Sequence, residues 1–116
     1  MNEENKVSIW FGKFDTQEQF YDFIKETYDD EGDMHSSFMQ SFGIDFIDNQ
    51  FQETLFDNGI NKSKLKPASY SESFIDRITI DFSNYNCIIL LYNFVYDGLI
   101  KKANSMDFYG VLNYSI

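Results

Sequence analysis

The sequence is short of the residues from which most catalytic and metal centres are built. It holds one cysteine, Cys87, and one histidine, His35. A lone cysteine excludes an intrachain disulfide and suits a reducing compartment. One His and one Cys also fall short of a zinc ligand set. The six glycines stand singly at 12, 32, 43, 59, 98 and 110, so no glycine-rich loop is there to cradle a phosphate. No Gly-x-Ser-x-Gly elbow surrounds a serine, and a single histidine leaves little room for a triad. Apolar runs are short: the longest, Cys87 to Tyr92, is far below the roughly 20 residues of a membrane helix. The opening MNEENK is acidic and polar, without the apolar centre of a secretory signal. Positive charge is scarce as well, with 9 Lys and Arg against 19 Asp and Glu, a net charge of −10. Such a surface repels nucleic acid and anionic membranes and attracts basic partners. No basic stripe suited to phosphate contacts is present. The expectation is a soluble, cytoplasmic protein with no cofactor, no metal and no direct contact with nucleic acid or membrane.

Aromatic residues, in contrast, are abundant. Thirteen Phe, eight Tyr and one Trp make up 19% of the chain, too many for a disordered polymer. A length of 116 residues reads as a single domain, 1–116, large enough to bury a core. The charge is unevenly spread. Residues 1–60 carry 14 acids against three lysines, a charge of −11, whereas residues 61–116 carry six basic and five acidic residues, +1.

Lys6 to Gly12 reads as a strand, with Val7, Ile9 and Phe11 on one face and Ser8 and Trp10 on the other. A helix follows, opened by Thr16 with Gln19 or Asp15 with Glu18 as a capping box. Phe20, Phe23, Ile24 and Tyr28 form its inner face, and it is expected to stop near Tyr28. Ser36 or Ser37 caps a short helix bearing Phe38, Met39 and Phe42, which Gly43 ends. Asp48 caps another, with Phe51, Leu55 and Phe56 inward. Residues 57–69 (DNGINKSKLKPAS) read as a loop. Residues 72–82 are ambiguous: Phe74, Ile75, Ile78 and Phe82 fit a helix, Ile78, Ile80 and Phe82 a strand, and helix is preferred for the first part. Asn86 to Tyr96 is apolar on both faces, with Cys87, Ile89, Leu91 and Val95 opposite Ile88, Leu90, Tyr92 and Phe94, so it belongs centrally in a sheet. Asp97-Gly98 signals a turn. Phe108 to Ser115 forms a last strand, expected to pair antiparallel with its predecessor. The fold class is α+β: one mostly antiparallel sheet, made from the N-terminal strand and two C-terminal strands and packed by three to four helices.

The densest acidic stretch is YDDEGD, residues 28–33. Asp29, Glu31 and Asp33 share the alternate spacing of a calcium loop's first ligands. The sixth and twelfth positions of that template are Met34 and Gln40, where Gly and Glu are required, so the match fails. Cys87 lies in the most apolar strand, where burial makes a thiol inert. Carboxylate pairs occur by chance among 19 acids and point to hydrolysis only if one sits in an apolar pocket. Trp10 either packs beneath a helix or faces outward. Tyr21, Tyr70, Tyr109 and Tyr114 are expected at the surface.

Three stretches in order carry a resemblance: VSIWFGKF (7–14) with its acidic helix, Asp33 to Phe46 with SFMQSFGIDF, and YSESF (70–74) followed by YNCIILLYNFVYDG (85–98). Together they resemble the immunity protein 22 family of bacterial polymorphic toxin systems. The resemblance implies a small cytoplasmic α+β protein that binds a cognate toxin domain and carries no catalytic residues. With the charge layout, it implies occlusion of a basic toxin surface, possible if the toxin is a nuclease with a cleft built for phosphates. Asp29, Asp30, Glu31 and Asp33 are the candidate contacts, with Asp45 and Asp48 as seconds. The rival readings are a small carboxylate-dependent hydrolase or lyase, and an acidic phosphate mimic that inhibits a DNA-binding protein.

Overall fold

The structure, a computed structural model, describes residues 2–115. In chain order its elements are β1 (Asn2–Gly12), α1 (Gln17–Ile24), β2 (Thr27–Tyr28), β3 (Met34–His35), α2 (Ser37–Phe42), β4 (Gln52–Phe56), α3 (Lys62–Leu65), β5 (Cys87–Phe94), β6 (Lys102–Ala103) and β7 (Met106–Asn113). Five strands form one antiparallel sheet in the order β4-β5-β1-β7-β6, and β2 and β3 pair as a separate hairpin. The α+β class, the antiparallel sheet and the three helices agree with the expectation.

β1 holds the centre because it is buried on both faces from Val7 to Gly12. Trp10 pairs with Ile89 on one side and Phe108 on the other. β5 and β7 therefore do not pair with each other, as chain proximity suggested. Both hydrogen-bond to β1, which lies between them. The tight turn that serves β7 is Asn104-Ser105, both residues at positive φ as a two-residue hairpin demands, joining the short β6.

The sheet is covered on both sides. Trp10, Cys87, Ile89, Leu91 and Met106 pack under α1 and α2, against Phe20, Phe23, Phe38 and Phe42. Trp10 is thus core, with the Phe38 ring edge-on at 4.9 Å. On the opposite side, Val7, Ile9, Phe11, Ile88 and Leu90 pack against Leu65, Phe74, Ile75 and Ile78. Strict alternation fails near the strand ends. Asn93 is left-handed at φ 59°, so Phe94 turns to the Trp10 side instead of following Tyr92. In β7 the register shifts between Ile9 and Trp10, with Tyr109 the extra residue, which puts Leu112 on the other face from Phe108. Tyr114, expected outside, is buried against that second face, whereas Tyr21 and Tyr70 are exposed and Tyr109 is half-buried.

Local chemistry accounts for the other departures. Thr16 Oγ1 accepts from Gln19 N at 3.1 Å and starts α1 as the capping pattern indicates. α1 ends at Ile24, four residues early, because Tyr28 is taken into the β2–β3 hairpin, where it is exposed. α2 matches its reading: Ser36 Oγ accepts from Met39 N, and Gly43 ends the helix at φ 67°. Asp48 does cap a turn, but a 3-10 turn of three residues (Asn49–Phe51). The expected helix gives way to β4, which pairs along the open edge of β5. Within 57–69, Asn61 caps the short α3, which buries Leu65. Residues 71–84 form three 3-10 turns rather than a helix or a strand.

Candidate functional site

The acids at 29–33 occupy the tip of the β2–β3 hairpin, not the end of a helix. Asp29 builds the tip. Its Oδ1 accepts from Glu31 N at 2.9 Å and from Asp33 N at 3.0 Å, and its own N–H donates to Asp33 O at 3.0 Å. Gly32, at φ 83°, supplies the left-handed residue that this reversal needs. His35 Nε2 lies 2.8 Å from Asp29 Oδ2. The His35 hydrogen bond, followed by the backbone N–H groups of Asp33 and Glu31, holds the Asp29 carboxyl below its ordinary range. Asp29 is therefore committed to holding the loop in shape. Asp30, Glu31 and Asp33 are exposed on it, beside an exposed Tyr28 ring.

Asp45 and Asp48 lie past Gly43, whereas the hairpin runs directly into Ser36. The six candidate acids therefore fall into two groups at opposite ends of α2, a six-residue helix about 9 Å long. Both Asp45 and Asp48 are exposed, and Asp48 Oδ1 accepts from Gln50 N at 3.1 Å. Asp45 lines a depression of about 310 Å³ and Asp48 a second of about 320 Å³. Phe46 and Phe94 line both, and Asp97 and Glu4 add a further carboxylate to each. Sequence reading missed Phe46, Phe94, Asp97 and Glu4. The one local signal was Ile44-Asp-Phe-Ile-Asp48, in which a Phe sits among acids; the other three are brought together only by the sheet.

Cys87 is buried, and burial pushes its thiol up to about 12, so no thiolate nucleophile is available near neutral pH. A catalytic carboxylic acid needs an apolar setting that raises its pKa. The displaced carboxyls of Asp29, Asp57 and Asp81 are all lowered instead, chiefly by hydrogen bonds from His35, from the Gly59 N–H and from Ser83 respectively. The carboxylates lining the two depressions are exposed. Among the described residues no three His, Cys, Asp or Glu side chains gather as a metal ion would require, and no helix is long and apolar enough to cross a membrane.

The protein family described as Immunity protein 22 matches residues 7–115 of this 116-residue chain. No curated protein sequence and no solved structure matches it.

Proposed function

The chain belongs to the immunity protein 22 family, and from that premise we propose that it neutralises a cognate bacterial toxin domain by binding it, without chemistry of its own. The observation that carries the reading is the family match across nearly the whole chain. The charge layout supports an electrostatic mechanism: residues 1–60 bear −11, and the carboxylates at both ends of α2 are exposed. A negative face attracts a basic cleft from a distance and raises the rate of encounter. Fast capture matters for a protein that must act before a toxin reaches its substrate. A nuclease, whose cleft is built for phosphates, fits such a face best.

The test is to identify the toxin domain that this protein protects against, starting from any toxin encoded by a neighbouring gene, and to measure the complex by titration calorimetry at about 50 mM salt, where surface attraction is screened least. A one-to-one complex that abolishes the toxin's activity is expected. Absence of any complex would overturn the proposal.

A further inference from the structure

The two depressions beside Phe46 share a wall. Phe46 and Phe94 line both, and each depression carries carboxylates: Asp45 and Asp97 in one, Glu4 and Asp48 in the other. No Lys, Arg or His of the described residues lines either one. Phe46 is 63% exposed, and its neighbour Phe51 42%. Single exposed apolar residues are ordinary, but an exposed ring standing between two acid-lined hollows is the layout of an interface anchor with a polar rim.

The backbone under this wall is fixed. Ser8 is fully buried; its Oγ donates to Phe94 O at 2.6 Å and accepts from Tyr96 N at 3.0 Å. Asn93 holds the left-handed turn before it, its Oδ1 accepting from Asn5 N at 3.1 Å and from the Tyr114 hydroxyl. The position of Phe94 is thereby set in advance of any partner. One lysine stands at the margin of the first hollow, which Gly98 lines. Lys101 Nζ donates to Gly98 O at 3.2 Å and lies 4.9 Å from the Phe108 ring centre and 5.6 Å from that of Tyr96. This positive charge is held by the Phe108 and Tyr96 rings and the Gly98 carbonyl, and among the described residues no ion pair joins it to Asp45 or Asp97.

We propose that this acid-rimmed face is where the toxin docks, and that its occupant is a basic loop of the toxin whose arginine side chains enter the hollows on either side of Phe46. The inference rests on the immunity reading above. Charge complementarity selects a basic occupant, and the mixture of ring and carboxylate selects arginine. A guanidinium stacks on an aromatic face while its fork takes a carboxylate, which a lysine ammonium does not match. On this view the hairpin acids Asp30, Glu31 and Asp33 steer the approach, and the Phe46 face holds the complex.

Calorimetry and stopped-flow binding of the same toxin domain separate the two roles. Phe46→Ser should weaken binding about 30-fold or more, as loss of a central anchor does. The pairs Asp45→Asn/Asp97→Asn and Glu4→Gln/Asp48→Asn should each weaken it about tenfold. The triple hairpin variant Asp30→Asn/Glu31→Gln/Asp33→Asn should slow association and leave dissociation unchanged. Thermal melts confirm that the variants fold, which the exposure of these positions favours. Tight binding by wild type together with equally tight binding by the Phe46 and paired variants overturns this inference and leaves the immunity reading standing. If wild type does not bind the toxin, the immunity reading falls, and the face is judged by amide shifts on adding an Arg-Leu-Arg peptide. Shifts confined to 45–48 and 93–98 support an arginine-reading face; shifts at 29–33, or spread over all acids, overturn it. A concentration-dependent dimer in sedimentation that Phe46→Ser dissolves also overturns it, because the face would then be covered by a second copy.

Discussion

The two layers that cover the sheet differ in how they are held. On the Trp10 side, α1 and α2 are α-helices with side-chain N-caps, and they bury a run of Phe rings around a single indole. On the Ile78 side, the cover is the four-residue α3 and three 3-10 turns, of which those starting at Ser71 and Ile75 have no side-chain cap. Both layers bury large apolar side chains completely, so both contribute hydrophobic stability. They differ in local cooperativity, since short 3-10 turns have poorer hydrogen bonds than an α-helix. The difference teaches that complete burial does not require regular helices in this molecule. The Phe46 face rises from the end of the helical layer, just beyond α2 and Gly43.

Cutting into the helical layer should cost most. Trp10→Ala removes the ring that meets Phe38, Phe42, Tyr96 and Phe108, and should destabilise the protein by about 3–5 kcal/mol in urea or thermal unfolding. Gly12→Ala comes next. A Cβ there would stand 2.1 Å from Met106 Sδ and 2.8 Å from the Ser105 carbonyl, and the backbone oxygen cannot step aside as the flexible Met can. A loss of about 1–3 kcal/mol is expected from such overpacking. Ser36→Ala takes away the N-cap of α2 and should cost about 1 kcal/mol, with the amides of 37–42 losing hydrogen-exchange protection first. On the other side, amides of 71–84 should exchange through local opening well before the global limit. Equal protection of both layers would erase the contrast between them.

Two titrations sharpen the same comparison with smaller effects. With its thiol pushed up to about 12, Cys87 should resist a disulfide reagent at pH 8 in the native protein and react at once in denaturant. Asp29 is lowered from its ordinary 3.8, so its contribution to hairpin order is complete above that value and disappears as pH falls through the lower, folded one. Amide shifts of Glu31 and Asp33 should follow that acid transition, and Asp29→Asn should blunt it.

How much of this was readable beforehand follows the same divide. Caps and apolar spacing are local, so Thr16, Ser36, Gly43 and the inner faces of α1 and α2 were legible, as was β5, buried from Cys87 to Tyr92. β4 was not, because Phe51, Leu55 and Phe56 fit a helix locally and only the open edge of β5 makes a strand of them. Nor was the end of α1, where Asp29 and Gly32 turn the chain back before the helical spacing of Tyr28 can act. Within the candidate site, the acids were visible as charge but their arrangement was not. Asp29 spends its carboxylate on its own loop. Asp45 and Asp48 acquire their setting from Phe94, Asp97 and Glu4, which are distant in sequence and meet through the β1–β5 pairing.

The most direct measurement is the association rate of this chain with the proposed toxin partner, followed by stopped flow from about 50 to about 500 mM salt. Capture of a basic surface by a negative one predicts a one-to-one complex whose association rate falls at least roughly tenfold across that range while its dissociation rate changes little. Failure to form a complex, or a rate indifferent to salt, would contradict it.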